Sequence, residues 1–145
     1  MESLLYGAMV VSYRWTMGNL GIEGALTFFY YNDLQSSYGF YEEVMGFEKV
    51  MDKEWVKLYR IKDGAHVGLV SKERGSHQPS PVKPVRLQVM VEDAEAWFEY
   101  LREKGVKADR EEIHVGTELN IKAFAVKDPE GYTIEICEYT TPYGL

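Results

Sequence analysis

The sequence predicts an α+β fold made of two βαβββ units, and three observations carry that expectation. A strand-like run ending in an acidic cap occurs twice, about 60 residues apart. The first copy is Leu26-Thr27-Phe28-Phe29-Tyr30-Tyr31-Asn32-Asp33 and the second is Arg86-Leu87-Gln88-Val89-Met90-Val91-Glu92-Asp93. Each is followed by an amphipathic stretch that stops at a glycine, Gly46 or Gly105. Each copy then closes on a strand, a tight turn and a second strand, which in copy two runs from Phe124 to Ile136. Paired units of this size each leave an apolar face that the other must cover, and the space between them is the natural place for a site.

The elements follow in order. Leu26 to Tyr31 is rich in β-favouring aromatics and predicts a strand. Asn32 or Asp33 can cap the next helix, because a short side-chain oxygen satisfies free backbone N–H groups. Leu34, Tyr38, Tyr41 and Met45 recur at helical spacing and predict one buried stripe. Strands are expected at Phe47–Met51, Trp55–Ile61 and Ala65–Val70, the last two joined by Lys62-Asp63-Gly64, a hairpin signal. The second unit repeats the order. Arg86 to Val91 forms a strand, and Asp93 caps a helix with Ala94, Trp97, Phe98 and Leu101 on one face. Strands are then expected near Glu112–Val115, Ile121–Val126 and Tyr132–Glu138. Asp128, Pro129 and Gly131 stand at the first, second and fourth positions of a type I turn, where each is favoured.

These elements divide the chain into an N-terminal extension (1–24), a first unit (25–74), a linker (75–84), a second unit (85–139) and a tail (140–145). The linker contains Gly75-Ser76-His77-Gln78-Pro79-Ser80-Pro81, polar and broken by prolines. The extension has no counterpart in the second unit. It is either an appended segment that packs on the domain or a partner, or a leader ahead of a start at Met9 or Met17.

Bulk properties narrow the function. A 145-residue chain that is 46% hydrophobic can bury a sizeable core. Its net charge is −7 and its Lys and Arg are scattered, which argues against nucleic acid, whose binding needs clustered cations. No apolar run approaches the ~20 residues of a membrane span, and the first residues lack the basic start of a secretory leader. The single cysteine, Cys137, excludes an internal disulfide and fits a cytoplasmic location.

Asp33-Leu34, Phe40-Tyr41, Met45-Gly46-Phe47 and Asp128-Pro129-Glu130-Gly131-Tyr132-Thr133-Ile134-Glu135, in this repeat, resemble the vicinal oxygen chelate superfamily. That superfamily includes glyoxalase I, bleomycin-resistance proteins, extradiol dioxygenases and fosfomycin-resistance enzymes. The resemblance covers about Ala25 to Tyr139 and implies that the units pair into an open eight-stranded barrel-like sheet around a cavity, within one chain or by exchange in a homodimer. In metal-dependent members, up to four side chains on the first and last strands of both units hold a divalent ion. The matching positions here are Leu26, Gly68, Arg86 and Glu135. Leucine and glycine side chains cannot donate to a metal, arginine does not lose its proton, and one carboxylate is not a site. The expectation is therefore no cofactor. A displaced His66–Glu135 pair holding a divalent metal is the alternative, with His66 otherwise an ordinary strand histidine.

In place of the ion, Arg86 and Glu135 are expected to meet as a hydrogen-bonded pair on the cavity wall. Alternation puts Leu26, Phe28 and Tyr30 on one face of the first strand and Phe29 and Tyr31 on the other. Arg86, Gln88 and Met90 share a face of the fifth strand, and Thr133, Glu135 and Cys137 share a face of the last. Trp55, Lys57 and Tyr59 share a face of the third, of undetermined side. Such a wall, of Phe28, Tyr30, Trp55, Tyr59, Arg86, Gln88, Met90 and Glu135, is the character of a small-molecule site, although aromatic side chains also simply fill a barrel. Cys137 has no activating neighbour in sequence, and His77 and His114 are expected at the surface. The sequence thus predicts metal-independent binding of a small, partly aromatic molecule, of the sequestration or resistance type. The alternatives are a lyase, isomerase or dioxygenase with Glu135 as the catalytic residue, and a regulatory or assembly module with a filled cavity.

Overall fold

The computed structural model describes residues 20–142, so most of the N-terminal extension, and the two readings of it, lie outside the described residues. The first unit comprises β1 (Ala25–Tyr31), α1 (Leu34–Gly39) continuing as a π-helical turn (Phe40–Val44), β2 (Glu48–Asp52), β3 (Val56–Lys62) and β4 (Ala65–Ser71). The second comprises β5 (Arg86–Met90), α2 (Ala94–Glu103), β6 (His114–Gly116), β7 (Ile121–Lys127) and β8 (Thr133–Tyr139). Both helix caps form as the acidic residues predict: Asp33 accepts the Ser36 N–H and Asp93 accepts the Ala96 N–H. Gly46 and Gly105 follow their helices at positive φ, +71° and +79°, which a glycine adopts without strain. The first helix differs from expectation at its end, where the Met45 N–H reaches back to the Phe40 carbonyl and widens the turn that carries Tyr41.

Each unit folds its strands into a sheet of the same order, β1-β4-β3-β2 in one and β5-β8-β7-β6 in the other. The first and last strands of a unit pair in parallel and the remaining pairs are antiparallel. Among the described residues no hydrogen-bonded strand pair joins the two sheets, so the arrangement is not a closed barrel. Ala25 and Thr27 of β1 line one groove with Leu87 to Glu92 on and after β5, so these two edges face each other across the seam. On the helix side of the sheets lies a continuous core that includes Phe29, Tyr31, Leu34, Tyr41, Tyr59, Leu69, Leu101, Phe124, Ile134 and Ile136.

The turn between β7 and β8 fastens one unit to the other. Asp128, buried, folds the turn by accepting the N–H groups of Glu130 and Tyr132 on Oδ1. Its Oδ2 accepts the hydroxyls of Tyr31 at 2.6 Å and Tyr41 at 2.7 Å, both from the first unit. Glu130 accepts the backbone N–H groups of Asn32 and Asp33. Tyr132 stacks on Phe29 with ring centroids 4.1 Å apart, takes the Tyr30 N–H on its hydroxyl and donates that hydroxyl to the Tyr30 carbonyl. Three residues of one turn thus satisfy the open edge of β1 and the start of α1. A buried carboxylate is tolerated here because every donor around it is used.

Two outcomes follow for stability. Asp128→Asn puts a donor where two hydroxyls need an acceptor, and should lower the unfolding free energy by about 2–3 kcal/mol in urea titrations. A change within experimental error would show the clamp to be dispensable. Burial, followed by the charges of the neighbouring phenol and Asp128, pushes the Tyr31 phenol well up; burial, followed by Asp128, does the same for Tyr41. Unfolded phenols ionise near pH 10 while these do not, so their contribution is complete below that pH and is lost above it. Each should cost about 1.4 kcal/mol per pH unit there. Tyr41→Phe should flatten the alkaline decline by one phenol's share, and an unchanged slope would contradict the assignment.

Candidate functional site

Each sheet has a face turned away from the helices, and a cavity opens on that of the first sheet. The rows of that face can be read from the register. Phe28, Gly68, Leu58 and Met51 stand side by side across β1, β4, β3 and β2, and Tyr30, Val70 and Val56 form the next row. The Phe28 ring occupies the space above Gly68: a Cβ there would come within 2.7 Å of Phe28 Cδ1 and 2.8 Å of Leu58 Cδ2. Tyr30 stacks on His77 at 5.2 Å and its hydroxyl meets Ser76 Oγ at 3.2 Å. His77 is exposed, as expected, and is held by this ring contact. Trp55 precedes β3, fixed by the Ser71 N–H on its carbonyl, and the Arg74 guanidinium sits 4.4 Å from its ring centroid. Phe28, Tyr30, Met51, Trp55, Leu58 and Arg74 line a cavity of about 530 Å³. Phe28 is still 47% exposed, so the cavity is open on one side.

Tyr59 does not line this cavity. It is fully buried on the helix side, its ring stacked with that of Tyr41, and it donates its hydroxyl to Glu42. Trp55 lies one residue outside the strand, so alternation does not carry from it. Val56 and Leu58 take the cavity face and Lys57 and Tyr59 the opposite one. Lys57 is buried there, bonded to Asp52 at 2.5 Å and lying over the Tyr38 ring. Hydrogen bonds from Lys57 and then Lys49 hold the Asp52 carboxyl below its ordinary range.

On the second sheet, Gln88 stands directly opposite Glu135, and Arg86 opposite Thr133. The pairing expected between Arg86 and Glu135 is accordingly loose, with Nη2 and Oε1 3.7 Å apart, longer than a hydrogen bond. Register gives the reason: the guanidinium reaches Glu135 only on the diagonal. Glu135 instead accepts from Gln88 Nε2 at 3.0 Å, and Gln88 Oε1 accepts the Tyr139 hydroxyl at 3.0 Å. Tyr139 joins Gln88 and Glu135 here, on the face to which alternation from Glu135 and Cys137 extends. Arg74 lies in an irregular turn and carried no periodic signal. Met90, 48% exposed, and Gln88 line the seam groove with His66. Cys137 is fully buried, and burial followed by the charge of Glu135 pushes its thiol up, the wrong direction for a nucleophile.

The positions that would hold a metal do not fit one. Leu26 and Gly68 offer no donor, and the space over Gly68 is occupied by the Phe28 ring. Arg86 brings positive charge, and Glu135 has Gln88 as its partner. His66 lies in the row of Leu26 and Arg60. Among the described residues no three His, Cys, Asp or Glu side chains gather as a metal cluster.

No curated protein matches the chain. Among solved structures, lactoylglutathione lyase from Agrobacterium tumefaciens is similar over 83% of this chain and 95% of its own, at 17% identity and TM-score 0.67. A glyoxalase/bleomycin resistance protein/dioxygenase from Nocardioides is similar over 92% of this chain and 95% of its own, at 16% identity and TM-score 0.67. A virulence protein from Salmonella typhimurium is similar over 79% and 94%, at 21% identity and TM-score 0.62. At such identities the likeness is one of fold. Residues 25–136 match the profile of one family over most of the two units just described. The chain belongs to the Glyoxalase/Bleomycin resistance protein/Dioxygenase superfamily.

Proposed function

We propose that this protein binds a small, partly aromatic molecule on the sheet face turned away from the helices without a metal ion, in the manner of a sequestering or resistance protein. The observation that carries the reading is the aromatic cavity of the first sheet, with the Phe28 ring seated on Gly68 where a metal ligand would otherwise stand. Flat apolar ligands stack on Phe28, Tyr30 and Trp55, while Arg74 at the rim favours an electron-rich or anionic substituent. In this reading Arg86, Gln88, Met90 and Glu135, on β5 and β8 beyond the lining of that cavity, add polar anchors for a ligand that extends to the second sheet. An open cavity supports a binder over a packed regulatory module.

The same exposure favours a homodimer. Phe28, Met51 and Met90 are each more than two-fifths uncovered in a single chain, and a second copy would shelter them. The fully buried cysteine suits a cytoplasmic protein; no helix of the described residues is long and apolar enough to cross a membrane. A second reading, an enzyme using Glu135 as a base, draws on the Tyr139–Gln88–Glu135 relay, which holds one carboxylate in a fixed pose at the wall.

Native mass spectrometry of protein purified without chelator tests the main reading. A dimer carrying a small organic mass is the expected species, and a metal adduct removed by chelator would overturn metal independence. Titration with 2-naphthol should quench tryptophan fluorescence, and Phe28→Ala should weaken that binding about tenfold. Equal affinity in the variant would place the ligand elsewhere. Glu135→Gln should lower affinity for the recovered ligand by a graded amount. If it instead abolished a turnover while leaving binding intact, the protein would be an enzyme.

A further inference from the structure

One row of the second sheet carries a charge pattern that lies outside the lining of the aromatic cavity. Arg86 stands opposite Thr133, and Thr133 opposite Lys127. Beyond β7, Ala108 bridges Val126, and both belong to or pack on the core, which sets Lys107 opposite Lys127 on the outward face. Lys107, Lys127, Thr133 and Arg86 thus form a single cross-strand row. All four also line one cavity of about 770 Å³, closed at one side by Phe40 of the first unit.

Like charges set directly opposite repel, and this chain has 23 acidic residues against 16 basic ones from which to supply partners. Yet among the described residues neither Lys107 nor Lys127 has an ion pair, and Arg86 has only the loose 3.7 Å contact with Glu135. Lys127 Nζ donates to Thr133 Oγ1 at 2.6 Å, which leaves the threonine hydroxyl free to donate in turn. The two carboxylates at the cavity are already engaged. Asp109 accepts the Ala125 N–H and lies 3.5 Å from Arg110, and Asp128 is saturated in the clamp. Three exposed cations and a hydroxyl thus line a cavity whose two carboxylates are each held by other donors.

We propose that this row is an oxyanion site, in which Arg86, Thr133, Lys127 and Lys107 receive the phosphate or carboxylate head of a small organic anion at the end of the second sheet. Arg86 supplies a fork for two oxygens, the lysines supply charge, and Thr133 supplies a directional donor. The site is distinct from the aromatic cavity of the first sheet and stands whether or not that cavity takes a ligand.

The test is a ¹H–¹⁵N titration of the full chain with inorganic phosphate and, separately, with benzoate, at constant ionic strength set by chloride. Saturable shifts confined to the amides of Lys107, Ala108, Lys127 and Thr133 are expected, weakened about tenfold in the double variant Lys107→Gln/Lys127→Gln. Saturation by phosphate alone identifies a phosphoryl head, by benzoate alone a carboxylate, and by both an unselective oxyanion site. No saturable shift with either probe, or equal affinity in the double variant, overturns the proposal. A second readout needs no ligand. In phosphate-free buffer Lys127→Gln should raise the urea midpoint, because one like charge leaves the row; a lower midpoint would make Lys127 a structural residue and sink the idea.

Discussion

The buried carboxylate of Asp128 is the interaction on which the architecture rests. It closes its own turn through two backbone N–H groups and reaches out of that turn to two phenols of the other unit. The helix-side core runs through both units, and beside this contact Phe29 of one stacks on Tyr132 of the other. The cost of desolvating the carboxylate is offset by four hydrogen bonds, an arrangement that works as a whole or not at all. Glu130 and Tyr132, its neighbours in sequence, complete the join at the edge of β1.

That join separates family likeness from chemistry. The words that make the superfamily legible in this chain, from Asp128 to Tyr132, are devoted to holding the halves together. The positions where metal-dependent relatives do their work read leucine, glycine, arginine and glutamate. The scaffold is kept while the donor set is gone, and the ring of Phe28 fills the gap left by Gly68. The motif therefore accounts for the fold and leaves the chemistry to be argued from other residues.

Most of the fold was legible because its signals are local. Asp33 and Asp93 cap helices within three residues of themselves, and alternation assigned Phe28 and Tyr30 to one face and Phe29 and Tyr31 to the other. The site was less so, for two reasons of geometry. Alternation needs to know where a strand begins, and starting from Trp55 in place of Val56 put Tyr59 on the wrong side. Register decides which side chains meet across strands, and it set Gln88, not Arg86, against Glu135. The clamp itself joins residues 87 and 97 positions apart, a distance over which no periodicity speaks.

The seam between the sheets has a mechanical meaning. Within each sheet, strands are locked by ladders of backbone bonds that admit little change of angle. Across the seam, β1 is pinned to the second unit through the hydroxyl of Tyr132 and the carboxylate of Glu130, side chains in place of a ladder. The angle between the sheets is thus set by a few side chains and not by a ladder. A substitution at Tyr132 or Glu130 therefore acts on the set of one sheet against the other and leaves the backbone ladders of both sheets untouched.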